Sequence, residues 1–302
     1  GYGHQVEPFL MTRIPFLQGP DPHSMVICWH DARPEGTRVE YGTDPELGTM
    51  ITGTSEMIRD PFYWHTVRLT GLEVDKKYYY RVGNGTDFST VYTFCTLPEA
   101  ESAGTLRFVL LSDTHASDST AVHQVMRGIQ RKITSLYGPE LEKHVNGLIF
   151  SGDLVVNGSI PEQYTSQFLQ PVSLLSPYIP SMTITGNHEG ESPFYYAYMK
   201  LDSFSAFPKN AALNERFWSM RAGNTLFIGL NSNITASYGV QEAAWLDNRL
   251  AEAEEDPTLD FVFLFTHHFP ISELWNVYDE SVSWVRNSLV PVLSGYSKVC
   301  EL

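Results

Sequence analysis

Lysine and arginine are scarce in this sequence: 20 in 302 residues, against 35 aspartates and glutamates, for a formal net charge of -15. Nucleic-acid backbones are held by clustered cations, so this balance excludes a nucleic-acid scaffold as partner. An anionic substrate would need a local positive source, such as bound metal. Cysteine is rarer still, with only Cys28, Cys95 and Cys300. Three scattered thiols build neither a disulfide framework nor a zinc knuckle, and they leave the redox compartment open. No apolar run approaches the roughly 20 residues that span a bilayer, and the first residues show no charged-then-apolar leader. A soluble protein is expected, and a mature secreted one would read the same. Sequons at Asn84, Asn157 and Asn233 fit a secreted or extracytoplasmic location.

What is present is apolar mass, 42% of the residues, which suits well-packed cores. The length is near the point at which a single core stops growing, so two domains are expected. From Met25 to Thr96 short alternating strands are separated by turn residues, the pattern of an all-β sandwich. Met25, Ile27 and Trp29 face its core and Cys28 faces outward, which makes an intradomain disulfide with Cys95 unfavourable. Leu69 to Leu72 leading into Tyr78-Tyr79-Tyr80 reads as a fibronectin type III corner that Tyr78 closes. Asn84-Gly85 predicts a tight hairpin into a last strand, Ser89 to Phe94.

Residues 98–105 lack apolar periodicity and read as a linker between a domain over 1–97 and another over 106–302. In the second, Leu106–Leu111, Gly147–Phe150, Met182–Thr185, Leu226–Leu230 and Phe261–Phe265 are short continuous apolar runs, expected to be strands buried on both faces. Helical periodicity over Ala121–Leu136, Glu162–Leu175 and Gln241–Glu254 makes this half a layered α/β structure.

Polar residues follow four of these strands. Ser112-Asp113-Thr114-His115, Ser151-Gly152-Asp153, Gly186-Asn187-His188-Glu189 and Thr266-His267-His268 each begin where a strand ends. Ligand sites in α/β sheets gather at strand carboxyl ends. One such cluster is ordinary, because an Asp after a strand usually caps a helix or forms a turn. Four in chain order, all at the same end, are not explained that way.

The order Asp-x-His, Gly-Asp, Gly-Asn-His-Glu, His resembles the calcineurin-like metallophosphoesterase superfamily. With the fibronectin-like half in front, it is most similar to the purple acid phosphatase branch, from Pro8 to Leu302. The resemblance implies an α/β/β/α layered fold, two packed sheets flanked by helices, with two metal ions at the strand ends. It makes Asp113 and His115 ligands of one metal, Asn187 and His267 ligands of the other, and Asp153 the bridge. It implies a metal-bound hydroxide as nucleophile, and His188 as the general acid that binds phosphate and protonates the leaving alkoxide. Mixed N and O donors suit Fe, Mn or Zn better than calcium. Glu189 either orients His188 or answers a helix dipole, and His268 is read as supporting or structural.

The sequence departs from that branch in places. His115 stands where purple phosphatases have Gly, and Val156 where their iron-ligating Tyr would be, so a colourless enzyme is expected. The segment after Pro270, with Glu273, Trp275 and Asn276, lacks a substrate-binding histidine pair. The Gly-His-x-His motif expected beyond the helix over Val282–Leu293 is absent, and a strand starting at Lys298 stops at Leu302, which reads as a fragment of a longer protein. The expected activity is hydrolysis of small phosphate monoesters. Alternatives are a phosphodiesterase acting on nucleotides or lipid head groups, and an inert binding or adhesion protein. Aromatics around Phe62, Tyr63, Trp64 and Tyr195, Tyr196, Tyr198 line a cleft or, more commonly, form core and interface.

Overall fold

The structure is a computed structural model and describes residues 13–59, 61–100, 104–201, 215–233, 238–271, 276 and 278–300. Alternation builds the first half. One face of β2 (Ser24–Asp31) carries Met25, Ile27 and Trp29 into a core with Val67 and Leu69 of β6 (Phe62–Thr70). Across the sandwich this core takes Val39 of β3 (Arg38–Gly42) and Tyr78, Tyr80 and Val82 of β7 (Lys77–Gly83). One sheet orders β5 (Thr54–Arg59), β6, β2 and β1 (Phe16–Asp21); the other orders β4 (Thr49–Thr52), β3, β7 and β8 (Tyr92–Cys95). The Tyr78 hydroxyl accepts the Glu73 N–H at 2.9 Å, so the tyrosine corner is formed. The hairpin after β7 is broader than a two-residue turn. Asn84 Oδ1 accepts the N–H groups of both Thr86 and Asp87, which spreads the reversal, and strand pairing resumes fully only at Tyr92.

The expectation for Cys28 holds in direction and fails in exposure. Cys28 points away from Trp29, yet it is fully buried, because the reverse face of the sandwich is covered by the second half of the chain. Phe16, Val26, Cys28 and Trp64 share one core with Met126, Phe168, Tyr195 and Tyr198. All three cysteines are free thiols. Trp64 Nε1–H donates to Tyr198 O at 3.0 Å, so these aromatics are core and seam.

The two halves also share a sheet. β1 pairs in parallel with β11 (Ser181–Thr183), Gln18 opposite Ser181, and the ladder continues through β10 (Gly147–Phe150) to β9 (Phe108–Leu111). A second sheet of β12 (Trp218–Ala222), β13 (Thr225–Gly229) and β14 (Phe261–Phe265) packs on it through Ile149, Met182, Ile184, Trp218 and Phe227. The helix Thr120–Tyr137 and residues 161–172 cover the outside of the first sheet, while the helix Gly239–Glu255 and residues 280–293 cover the second. Four layers, α/β/β/α, result. β9 is not buried on both faces as expected: it is the outermost strand of its sheet and Leu110 is 52% exposed. β12, whose alternating pattern lay outside the apolar runs, is an additional antiparallel strand. Val299 bridges Val262 in parallel beside β14, and Glu301 and Leu302 lie outside the described residues.

His30 lies at the seam, enclosed by the rings of Phe62, Trp64 and Tyr198, with Nε2 3.1 Å from the Tyr198 hydroxyl. Burial, with a smaller contribution from His65, lowers its pKa to about 3. The unfolded chain therefore protonates first, so the stability this group contributes is complete above the ordinary histidine pKa and is lost as pH falls from there toward 3. We expect about 2 kcal/mol of unfolding free energy to be lost through His30 by pH 5. Denaturant titrations at pH 7 and pH 5 should show a shallower pH slope for His30→Phe; an unchanged slope would remove His30 as its source.

Candidate metal centre

Parallel pairing places the carboxyl ends of β9, β10 and β11 on one side, and the loop after β14 reaches the same rim. His267 Nδ1 lies 3.0 Å from Ser151 O, and its Nε2 lies 3.0 Å from Asn187 Oδ1. The Asp113 N–H donates to Gly152 O at 3.1 Å and the His115 N–H to Asp153 O at 2.9 Å, so the first two loops are joined through their backbones.

Asp153 is the centre of the arrangement and is 3% exposed. Its Oδ2 lies 3.4 Å from His115 Nε2 and 3.7 Å from His188 Nε2, while its Oδ1 lies 3.4 Å from His267 Nε2 and accepts the His188 N–H at 3.0 Å. Two clusters of potential ligand atoms, each within 4.8 Å, share it: His115, Asp153 and His188, and Asp113, Asp153 and His267. Burial opposes ionisation of Asp153, but hydrogen bonds from the His267 ring and the His188 N–H, together with their charge, outweigh it and hold the carboxyl below its ordinary pKa. For His267 burial likewise favours the neutral ring, and the Asp153 carboxylate overcomes it and raises the pKa.

Backbone strain accompanies the carboxylates. Asp113 and Asp153 have φ of 52° and 55°, a left-handed region that few non-glycine residues occupy. Neighbouring glycines permit the crowding. A Cβ on Gly186 would lie 2.1 Å from Asp153 Oδ1, and one on Gly152, whose φ is 94°, would lie 2.8 Å from His267 Nδ1. Both positions require a residue without a side chain for backbone and ligand atoms to meet.

The sequence compares as this geometry suggests. Residues 14–96 match the family model described as "Purple acid Phosphatase, N-terminal domain", and residues 106–294 match "Calcineurin-like phosphoesterase". The chain belongs to the calcineurin-like phosphoesterase family. Purple acid phosphatase 15 of Arabidopsis thaliana is 24% identical over 220 residues, 64% of this chain and 39% of that one. Acid phosphatase type 7 of Danio rerio is 27% identical over 178 residues, 55% of this chain and 37% of that one. The chain thus spans about two fifths of the length of the curated relatives it matches. Among solved structures, purple acid phosphatase PPD1 from yellow lupin superposes with a TM-score of 0.64 at 17% identity, covering 84% of this chain and 50% of that one. PhoD superposes at 0.63 and 14% identity, covering 96% and 71%. At such identities the likeness is one of fold.

The structure brings the residues of the implied ligand set together at one rim. Asn187 and His267 are in contact and Asp153 is common to both clusters, but Asp113 falls with His267, while His115 falls with His188. The His115 and His188 rings stack at 4.2 Å. Neither reading of Glu189 is what the structure shows. It is 4% exposed, and its carboxylate accepts four backbone N–H groups: Asp153 and Gly186 on Oε2, Leu154 and Val155 on Oε1. It fastens the Asp153 loop to the Gly186 loop, and its burial raises its pKa despite those donors. His188 is oriented by Val156, whose carbonyl lies 2.6 Å from Nδ1. His268 is buried against Ser232 Oγ at 2.8 Å, and burial lowers its pKa to about 4. Glu273 and Trp275 lie outside the described residues.

One contributor was missed. Asn233 Nδ2 donates to Gly186 O at 2.8 Å and to Thr185 Oγ1 at 3.2 Å, holding the loop that carries Asn187 and His188. Its only sequence signal was a sequon, which reads for a different role. That same engagement occupies the nitrogen a glycan would need. Asn84 Nδ2 is enclosed as well, so among the three sequons only Asn157 is exposed.

Proposed function

We propose that this phosphoesterase hydrolyses small phosphate esters with two metal ions held by Asp113, His115, Asp153, Asn187 and His267. The observation that carries the proposal is the buried Asp153 carboxylate, which presents one oxygen to His115 and the other to His267. Such a donor set fits two ions: carboxylates, imidazoles and a carboxamide converge, with glycines at the points where a Cβ would fill the space. The N and O mixture suits Fe, Mn or Zn. When bound, the ions supply charge neutralisation for the phosphoryl group and acidify water.

His188 is the proposed general acid. Its Nδ1–H faces Val156 O, which leaves Nε2 as the ring atom that exchanges a proton with the ester. At 32% exposure the His188 side chain is open to solvent, from which an ester enters. The N-terminal half, proposed over 1–97 with a linker at 98–105 ahead of the catalytic half at 106–302, acts as a buttress through the shared core beneath β1 and β2. No helix among the described residues is long and apolar enough to cross a membrane. A location outside the cytoplasm completes the proposal, with the exposed Asn157 sequon as its remaining support.

Elemental analysis and hydrolysis of p-nitrophenyl phosphate and of bis(p-nitrophenyl) phosphate, with and without added manganese or zinc, test the reading. We expect about two metals per chain, metal-dependent turnover and preference for the monoester. His188→Ala should keep its metals and lose roughly 10²-fold or more in turnover. Absence of metal-dependent hydrolysis would favour the inert-protein reading, and loss of metal rather than rate in His188→Ala would remove its role as acid.

A further inference from the structure

We infer that Asn231, Ser232 and Asn233, the residues that follow β13 and Leu230, are positioning residues for one of the two proposed metal ions, the one assigned to Asn187 and His267, and leave the position of Asp113 and His115 unaffected. This rests on the phosphoesterase reading above.

Strand register brings the segment to the site. β13 pairs in parallel with β14, Gly229 opposite Phe265, and the Leu230 N–H donates to Phe265 O at 3.0 Å, so residues 231–233 leave the sheet beside residues 266–268. Asn231 and Ser232 are fully buried. The Asn231 N–H donates at 2.7 Å to Oε1 of Glu242, itself fully buried in the helix Gly239–Glu255. Asn231 Nδ2 donates to Glu191 Oε1 at 2.9 Å, and Asn231 Oδ1 accepts the Asn233 N–H at 2.8 Å. The Tyr238 hydroxyl lies 2.8 Å from Asn233 O and 2.7 Å from Glu191 Oε1. The backbone of Asn233 is thereby held from both of its peptide groups, and a side chain on a fixed backbone can fix others in turn.

Two side chains reach out from this anchored segment. Asn233 Nδ2 donates at 2.8 Å to Gly186 O, which belongs to the planar peptide unit that enters Asn187. Ser232 Oγ accepts the His268 N–H at 3.0 Å, and that N–H belongs to the peptide unit that leaves His267. His268 Nδ1 lies 2.8 Å from the same hydroxyl. Each contact therefore orients a peptide plane adjoining Asn187 or His267, and Asn187 Oδ1 and His267 Nε2 end 3.0 Å apart. The loop of Asp113 and His115 is supported otherwise, by the Asp113 N–H on Gly152 O and the His115 N–H on Asp153 O. Among the described residues no hydrogen bond runs from 231–233 to 112–115 or to 151–153. Loss of the Asn233 contact should consequently act on one ion and spare the other.

The test is equilibrium dialysis of the full chain against zinc over a range of free concentrations, with metal per chain read by elemental analysis and folding by near-ultraviolet circular dichroism. Asn233→Ala should weaken one of two binding steps by about 10- to 100-fold, the scale for losing a supporting partner of a ligand, and leave the other within about twofold. Added to His115→Ala, the same change should weaken the position that remains; added to His267→Ala, it should do nothing further. Asn233→Asp, of the same shape but without the donor, should shift the same step and serves if the alanine variant does not fold. Equal weakening of both steps, no weakening of either, or an effect that persists in His267→Ala overturns the inference, while two ions in the unaltered protein leave the phosphoesterase reading intact. An unaltered protein that takes up no metal overturns both.

Discussion

Asp153→Asn is expected to strip metal from both positions and to lower hydrolysis far more than the roughly 10- to 100-fold that losing a supporting partner of a ligand costs. The reason is geometric. Asp153 Oδ1 faces His267 and the His188 N–H, and Oδ2 faces His115 and His188, so both oxygens act as acceptors toward different partners. An amide of the same shape replaces one acceptor with a donor and removes the charge that offsets repulsion between two cations. Elemental analysis gives the direct readout, with near-ultraviolet circular dichroism to show that the variant is folded. Retention of full metal content in a folded Asp153→Asn protein would end the bridging assignment.

The second large effect is expected at Glu189. Replacing it by Ala leaves the N–H groups of Asp153, Leu154, Val155 and Gly186 without their acceptor in a buried place. Orphaned buried donors cost about 1–3 kcal/mol each, and water entering the space vacated by the carboxylate offsets part of that. We expect a net loss of about 3–5 kcal/mol in unfolding free energy, together with loss of metal affinity, because the Asp153 loop is held in its left-handed turn by this contact. Glu189→Gln, which keeps one acceptor oxygen, should recover part of the stability. A change below about 1 kcal/mol in Glu189→Ala on denaturant unfolding would show that the clamp does not hold the loop.

How much of this was legible follows from what sequence can encode. The Asp, His and Asn side chains that follow Leu111, Phe150, Thr185 and Phe265 could be found without coordinates, because strand periodicity is local and a strand's end is visible in the chain. Tyr78 at its corner was readable for the same reason. Asn233 was not, because its contribution is one amide nitrogen reaching a carbonyl 47 residues away, and nothing in its neighbours marks that. Glu189 was seen as a site residue, but its partners were misjudged, since four backbone donors from two loops leave no trace in side-chain identity.

By itself the sequence determined the element types, the all-β half followed by the α/β half, and the chain order of the loops that carry Asp113, Asp153, Asn187 and His267, all properties of local pattern. Only the tertiary structure decided that one sheet runs from the sandwich through β1 and β11 into the second half, that Cys28 is covered and β9 lies at a sheet edge, and that Asp153 is shared by two clusters of potential ligand atoms. Those outcomes depend on which distant surfaces meet. Alternation states that a side chain leaves one face of a strand, but what lies over that face is set by packing between segments far apart in the chain.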